Sequence, residues 1–108
     1  MNVQEKAIEA TKKYLAMKDY EDITEFEGYV TAIDDGYRVI CRVSVCEEEF
    51  GGVRCEELRE MAESVAIRWL AQNEAVDVPL RFDDIRLIVV GNDRAMLRHH
   101  VNCLGTAI

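Results

Sequence analysis

The amino-acid sequence predicts an α/β fold in which a central mixed sheet has a helix on each side. Two segments, at about 3–18 and 54–73, have the apolar spacing of amphipathic helices. Each is followed by extended segments rich in β-branched residues. The predicted order is therefore α-β-β-α-β-β, and the second helix crosses over between two pairs of strands. With 108 residues, the chain is expected to form one domain around one core.

Each predicted helix has one broad apolar stripe. In the first helix the stripe consists of Val3, Ala7, Ala10, Tyr14 and Met17, and it is widened by Ile8, Thr11 and Leu15. In the second it consists of Leu58, Met61, Ala62, Val65, Ile67, Trp69 and Leu70. Such a stripe is typical of a helix that packs on a core. We expect Met61, Trp69 and Leu70 to lie in that core, with a homodimer face as the alternative.

The first pair of strands is marked by a turn signal and by alternation. Residues 25–33 alternate only roughly, and the Asp-Gly pair at 35–36 is a strong hairpin signal. Residues 37–46 are rich in β-branched side chains, with apolar residues on one face and mainly polar ones on the other, apart from Ile40. One face of this strand is therefore predicted to be core and the other semi-polar.

The second pair of strands follows Pro79. Residues 80–90 alternate at first and then become continuously apolar, as a central strand would. Residues 94–101 fit either a return strand or a helix. Their alternation of apolar and polar side chains favours the strand.

The charge balance disfavours a nucleic-acid ligand without excluding one. The net charge is −8, and no third of the chain is basic. Proteins that bind nucleic acids obtain most of their affinity by neutralising phosphates, and they usually carry a basic face. A local patch would have to assemble in three dimensions from Lys12, Lys13, Arg94 and Arg98.

The sequence has no feature typical of secretion or of a membrane span. No run of about 18 apolar residues predicts a transmembrane helix, and the N-terminal segment MNVQEKAIEA lacks the apolar centre of a secretory signal. We therefore expect a cytoplasmic protein without a membrane partner. The cysteines at 41, 46, 55 and 103 are irregularly spaced and expected to be reduced there. Cys41 and Cys103 are predicted to be small buried apolar residues.

Three segments together resemble a known family. Ala7–Tyr20 resembles a helix of the pattern GExxAxxYLxxxGY, VPLRFD at 78–83 resembles a strand containing RFD, and RHHVNCL at 98–104 resembles a closing segment of the pattern H(I/V)xNAF. These patterns belong to the YraN-like family of small bacterial proteins. The resemblance covers about residues 7–105 and implies the restriction-endonuclease-like fold, also called the PD-(D/E)XK fold.

The resemblance also implies where an active site would lie, and there the chain departs from the family. Family members hold a divalent metal with two carboxylates and support the attacking water or the developing charge with a lysine. With the sequences aligned on Ala32, the aspartate falls on Tyr29, the glutamate on Arg42 and the lysine on Ser44. A further glutamate of the family pattern falls on Glu27 and is retained. A cation at Arg42 opposes metal binding. The resemblance therefore implies a degenerate relative.

The replacement of the family's active-site residues suggests two functions, and a third is also compatible with the sequence. The first is a catalytically inactive nuclease-like domain that acts as a binding or interaction module without a cofactor. The second is a nuclease dependent on Mg²⁺ or Mn²⁺ with a migrated site, in which Glu9, Glu27 and Asp34 or Asp35 converge. The third is a nucleic-acid binder without chemistry that uses Arg42, Arg94 and Arg98. The sequence names no specific partner, and a homodimer stays open.

Single residues of this pattern also have ordinary structural explanations. Arg42 could bind an anion such as phosphate, but an ion pair with Glu27 is the favoured interpretation. Asp83 is expected to have a structural role at a turn or strand end. The acidic run at 47–49 is expected to be a solvated loop, with a docking patch for a partner as the alternative.

A zinc site at the C-terminal end is disfavoured. His99, His100 and Cys103 provide zinc-ligand side chains close together in the sequence. In a strand, however, adjacent histidines point to opposite faces. We therefore predict no metal site among these residues.

Overall fold

The structure is a computed structural model that describes residues 2–46, 55–73, 77–90 and 94–103. The helices in these ranges are α1 (Val3–Met17) and α2 (Cys55–Gln72). The strands are β1 (Glu21–Phe26), β2 (Tyr29–Asp34), β3 (Tyr37–Cys46), β4 (Leu80–Val90) and β5 (Arg94–His100). The strands form one sheet in the order β1-β2-β3-β4-β5. Neighbours are antiparallel except β3 and β4, which are parallel, so the predicted α/β class with a mixed sheet is confirmed.

The predicted order of elements lacks one strand. The observed order is α-β-β-β-α-β-β, because residues 21–34 form a hairpin and not one extended segment. Glu27 and Gly28 are the two turn residues between Phe26 and Tyr29, with φ of 50° and 85°. This backbone suits a tight hairpin, but a glutamate is not among the residues that normally favour positive φ. The sequence at this turn therefore gave little indication of a hairpin.

The second hairpin is the predicted one. Asp34 pairs with Tyr37, and the two residues between them, Asp35 and Gly36, have φ of 51° and 81°. Positive φ at both central positions matches the twist of the flanking strands, which is why Asp-Gly is favoured there. This turn joins the strands that carry the candidate site residues.

Helix α1 begins and ends with local hydrogen bonds. The Asn2 side chain accepts a hydrogen bond of 2.8 Å from the backbone N–H of Glu5 and caps the first turn. At the other end Asp19 adopts φ of 66°, and the N–H of Tyr20 donates to the carbonyl oxygen of Leu15 at 3.0 Å. This is a Schellman-type stop. It fixes the position of Tyr20 at the start of the sheet.

The two helices cover opposite faces of the sheet. The buried cluster on the α1 face consists of Ala7, Ile8, Leu15, Val30, Ala32, Val39, Cys41, Val43, Ile85 and Leu87. The buried cluster on the α2 face consists of Ile40, Ala62, Val65, Ala66, Trp69, Leu80 and Phe82. Strand alternation sends odd-numbered residues of β3 to the first face and even-numbered ones to the second. Ile40, the apolar exception in the pattern of β3, is thereby buried under α2.

The C-terminal strands alternate in the same way. In β4, Asp83, Ile85 and Leu87 face α1, whereas Phe82 and Asp84 face α2. The segment that fitted a strand or a helix is strand β5, as its alternation favoured. Within the described ranges, neither helix has the length and apolar character needed to cross a membrane.

Candidate functional site

The positions that the resemblance assigns to an active site lie together on the α2 face. Val30 pairs with Cys41, so Tyr29 lies beside Arg42 one position along the hairpin. Ser44 follows Arg42 on the same face of β3. The Tyr29 ring packs edge-to-face against Phe82 at 6.3 Å between centroids and contacts the apolar cluster. Tyr29 therefore packs on the apolar core under α2, at the position where the family has its aspartate.

Arg42 forms an ion pair with a buried carboxylate on the neighbouring strand. Its Nη1 donates to Oδ1 of Asp84 at 3.1 Å, and the Asp84 side chain is only 3% exposed. Arg86 Nη2 lies 3.9 Å from the other Asp84 oxygen. In the parallel register Arg42 lies beside Asp84 and Ser44 beside Arg86. We call this group, Arg42, Ser44, Asp84 and Arg86, the arginine cluster.

The predicted partner of Arg42 was wrong. Glu27 instead accepts a hydrogen bond of 2.6 Å from Nε of Arg68, on the exposed side of α2. The sequence spacing could not distinguish these arrangements, because Asp84 reaches Arg42 only through the pairing of β3 with β4.

The arginine cluster is electrostatically unbalanced. It has two guanidinium groups, of Arg42 and Arg86, and one carboxylate. The two arginine side chains are 20% and 19% exposed, so they are partly removed from water but still reachable from it. In the part of the chain that the structure describes, the Ser44 hydroxyl oxygen is buried without a hydrogen-bond partner. These groups keep a net positive charge and donors that the described residues do not use.

These residues do not fit the divalent metal that the resemblance would imply. Mg²⁺ requires oxygen ligands and favours carboxylates. The cluster offers one carboxylate, and that carboxylate lies between two guanidinium groups. A divalent cation bound to Asp84 would face two positive charges in a poorly solvated place, where such repulsion is strongest.

The carboxylates proposed for a migrated metal site do not converge. Glu9 lies on α1 and pairs with Lys12 at 3.5 Å. Glu27 occupies the turn between β1 and β2, and Asp34 lies at the other end of β2, where it accepts from Arg81 at 2.9 Å. Asp35 is an exposed turn residue. Among the described residues no group of three or more potential metal-ligating side chains comes together.

The basic residues of the proposed local patch are also separated. Lys12 lies on α1 and pairs with Glu25 at 2.8 Å. Arg94 and Arg98 are exposed residues of β5, and their alternation places them on the α2 face, which is also the face of Arg42. Arg98 lies directly beside Arg86. A single patch made of Lys12, Lys13, Arg94 and Arg98 is therefore not formed.

A second polar group lies on the α1 face around Asp83, whose side chain is fully buried. Nε and Nη2 of Arg81 donate to its two oxygens, each at 3.0 Å. The backbone N–H of Asn102 donates at 2.8 Å, and His99 Nε2 lies at 2.7 Å. The carboxylate has all its acceptor sites occupied. We call this group the Asp83 network, with Tyr14, Tyr20, Asp34, Arg81, His99 and Asn102 as its other members.

Arg81 links the network to the hairpin and to α1. Its Nη1 donates to Asp34 at 2.9 Å and its Nη2 to the Tyr20 hydroxyl at 2.9 Å. Its guanidinium also lies over the rings of Tyr20 and Tyr37, 5.9 and 5.8 Å from their centroids. Each nitrogen of this arginine is therefore engaged, and the structural role expected for Asp83 fits this arrangement.

His99 connects the network to the helix. Because an ionised carboxylate can only accept, Nε2 of His99 carries a proton towards Asp83. The other ring nitrogen, Nδ1, lies 3.0 Å from the Tyr14 hydroxyl and accepts from it when the ring is neutral. His100 is exposed and alternates to the other face, as predicted from the strand periodicity.

The network shifts the pKa of several of its groups. Burial alone would raise the pKa of Asp83, but hydrogen bonds from His99, Arg81 and the Asn102 backbone outweigh it and lower that pKa. Burial and the nearby Asp83 charge raise the pKa of both Tyr14 and Tyr20. Burial also raises the pKa of the Cys41 thiol. The network therefore holds an ionised aspartate beside neutral phenols, and the buried Cys41 thiol near it is a poor nucleophile.

Asp84 and Arg86 are candidate site residues that were not predicted from the sequence. A signal for them exists in RFDDIR at 81–86. Arg81 and Asp83 are two residues apart and share one face of a strand, and so do Asp84 and Arg86 on the other face. Two opposite-charge pairs with this spacing on a central strand indicate a buried charged group on each side of the sheet.

An apolar pocket of about 280 Å³ lies between α1 and the sheet, away from both polar groups. Its lining residues are Val3, Lys6, Ala7, Ala10, Val45, Leu87, Val89 and Ala95.

The predictions for single apolar side chains have different outcomes. Trp69 is buried in the α2 core as expected and Met61 is half-buried, whereas Leu70 is 41% exposed. Ile67 of the same predicted stripe is also exposed. Cys41 is fully buried, Cys103 is partly buried against the α2 cluster, and the described cysteines at 41, 46 and 103 are free thiols. The acidic run at 47–49 lies outside the described residues.

Compared with known proteins, the sequence matches no family model and no curated protein. The resemblance to the YraN-like family therefore rests on the three motif segments quoted above.

Proposed function

We propose that the chain is a nuclease-like α/β domain that does not cleave nucleic acid and acts as a binding module. The observation that carries this proposal is the ion pair between Arg42 and the buried Asp84. By the resemblance, a metal-binding glutamate would stand at residue 42. A guanidinium there binds a carboxylate of the protein itself and opposes a metal cation.

The scaffold supports the comparison with the nuclease-like sandwich. A mixed sheet lies between α1 and α2, with the positions of interest near its centre on β2 and β3. The motif segments that carry the resemblance also meet in space. Arg81 and Asp83 from the RFD segment contact His99 and Asn102 from the closing segment, and Tyr14 and Tyr20 come from the helix motif. Such contacts give a physical reason for these residues to occur together.

A metal titration combined with a cleavage assay tests the proposal. Isothermal titration calorimetry with Mg²⁺ and with Mn²⁺ should show no saturable binding. Linear, supercoiled and branched DNA should stay intact in the presence of either ion. The variant Glu27→Ala, which removes the one retained family carboxylate, should behave like the unmodified protein in both measurements.

One outcome of these measurements would contradict the proposal. Metal-dependent cleavage that is lost in Glu27→Ala and kept in a control variant of an exposed acid on α2, Glu63→Ala, would replace the proposal with a nuclease whose site has migrated. Homodimer formation stays a separate prediction, and sedimentation velocity over a range of protein concentrations checks it.

A further inference from the structure

We propose that the arginine cluster binds the phosphate group of a small ligand. This inference rests on the proposed function, since it gives the non-catalytic domain a ligand class. Arg42, Arg86 and Ser44 would contact the phosphate oxygens, and Asp84 would hold the two guanidinium groups in place.

The first argument is the number of unused donors. A guanidinium group carries five N–H donors. Within the described residues, Arg42 makes one hydrogen bond, to Asp84 at 3.1 Å, and Arg86 approaches the same carboxylate only to 3.9 Å. Both side chains are about four-fifths buried, at 20% and 19% exposure, so water has restricted access to the remaining donors. Donors that are partly desolvated and unpaired gain most from an anionic partner.

The second argument is the position of Ser44. Its hydroxyl oxygen is buried and lacks a hydrogen-bond partner within the part of the chain that the structure describes. Ser44 lies beside Arg86 in the register of β3 and β4, and two residues beyond Arg42 on the same face. A buried hydroxyl without a partner costs free energy. Donation to a phosphate oxygen held between the arginines would remove that cost.

The third argument is the geometry of the donors. Guanidinium groups match the oxygens of phosphate in pairs, which makes arginine the side chain most suited to such anions. The buried Asp84 restricts the orientation of both groups before a ligand arrives, so less side-chain entropy is lost on binding. With two cations and one anion, the cluster still attracts a negative ligand.

The charge of the whole protein favours a small ligand over a nucleic acid. The chain carries a net charge of −8, which repels a long polyanion. Arg98 lies beside Arg86 on the same face, but Lys12 lies on the opposite face, where it is paired with Glu25, so it does not extend the cluster. A single phosphate group needs only the local cluster.

Titration followed by two-dimensional ¹H–¹⁵N NMR tests the inference, with inorganic phosphate and methyl phosphate as probes and sodium chloride at matched ionic strength as the blank. We expect saturable shifts at residues of the cluster with a Kd of about 1 mM or tighter for at least one probe. Arg86→Gln should weaken binding about tenfold or more, and Arg42→Gln should do the same. Lys13→Gln, which removes an exposed cation on the other face, should leave the Kd unchanged.

Three outcomes would overturn the inference. The first is no phosphate-specific shift at 20-fold the expected Kd, which is about 20 mM. The second is equal binding by the unmodified protein and by both Arg86→Gln and Ser44→Ala, two variants that keep the Arg42–Asp84 pair and hence the fold. The third is Arg86-dependent binding of an oligonucleotide, measured by fluorescence anisotropy at low salt, without binding of either small probe.

Failure here is distinguishable from failure of the proposed function. If phosphate does not bind and the calorimetric and cleavage measurements are negative, the domain remains non-catalytic and only its ligand class is wrong. If a divalent metal binds and DNA is cleaved, the proposed function itself is wrong.

Discussion

Asp83 and Asp84 are neighbours in the sequence, yet they occupy opposite faces of the sheet and contrasting environments. The Asp83 carboxylate accepts hydrogen bonds from Arg81, His99 and the Asn102 backbone, and each partner is itself engaged. The Asp84 carboxylate contacts two arginines that keep most of their donors unused within the described residues. Both side chains are buried, at 0% and 3% exposure.

The contrast between these two groups distinguishes a structural buried charge from a ligand site. Burial costs both carboxylates solvation, so burial alone does not distinguish them. What differs is the balance of donors and acceptors. In the Asp83 network the carboxylate of Asp83 and the guanidinium of Arg81 are fully hydrogen-bonded, so these charged groups stabilise one conformation and leave no charged donor for a ligand. Within the described residues, the network's one buried polar atom without a partner is Asn102 Oδ1, which is an acceptor and cannot bind an anion. A cluster with surplus donors and positive charge has a reason to bind an anion.

The largest expected effect concerns removal of the two carboxylates. Asp83→Ala should destabilise the protein by about 3–5 kcal/mol, because it leaves the buried Arg81 without its main partner. Asp84→Ala should cost less, about 1–3 kcal/mol, because Arg42 and Arg86 can reach water. Urea unfolding followed by circular dichroism measures both free energies. Equal losses would contradict the distinction drawn between the two faces.

The next largest effect concerns the hydrogen bond between His99 and Tyr14, which connects the Asp83 network to α1. His99→Phe keeps a ring in place but removes the hydrogen bonds to Asp83 and Tyr14, so it should destabilise by about 2–3 kcal/mol. Tyr14→Phe removes only the second of these bonds and should cost about 1 kcal/mol. In a double-mutant cycle the two losses should not add, because both variants break the same contact. Additive losses would mean that the two side chains act independently.

The network should also govern stability in acid. The pKa of Asp83 lies below its ordinary value of 3.8 in the folded protein, so its ionised form favours folding. That contribution is complete above the unfolded pKa and is lost as the pH falls through the folded pKa, in the range below about pH 4. Asp83→Asn should therefore flatten the decline in unfolding free energy between about pH 4 and pH 2. The same decline in Asp83→Asn and in the unmodified protein would exclude this residue as its source.

The smallest effects concern the two hairpin turns, each of which positions one polar group. Gly36→Ala and Gly28→Ala both have free space for a methyl group, but both glycines have positive φ. Each variant should cost about 1 kcal/mol. Gly36 lies two residues after Asp34, which accepts a hydrogen bond from Arg81. Gly28 directly precedes Tyr29, which lies beside Arg42. Chemical shifts of the Asp83 network should therefore respond to Gly36→Ala more than to Gly28→Ala, and the reverse pattern would contradict the assignment of turns to faces.

Much of the fold could be predicted because it depends on local signals. The apolar spacing of the helices, the Asp-Gly turn at 35–36 and the alternation of residues 94–101 each act within a few residues. The missed element, β1, begins with acidic residues and ends at a turn that places Glu27 in a conformation that glutamate rarely adopts. Strand β1 was therefore missed because its residues lack the sequence pattern that predicts a strand and a hairpin turn.

The candidate site was predictable only in part. Alignment with the family pattern indicated Tyr29, Arg42 and Ser44, and the structure places these residues on one face. The predicted ion pair of Arg42 with Glu27 was wrong, because Asp84 is 42 positions away in the chain and reaches Arg42 only through the pairing of β3 with β4. The convergence of Glu9, Glu27 and Asp34 failed for the same reason, since their separation depends on which face and which end of the sheet each one occupies.

The residue types and the period of each segment are properties of the sequence alone, and they establish which side chains share a face. They also establish that Asp83 and Asp84 point in opposite directions, because successive residues of any strand do so. Only the tertiary structure decided which charges each aspartate meets. That choice depends on the covering of each face by a helix and on the parallel pairing of β3 with β4, which joins residues 42 positions apart.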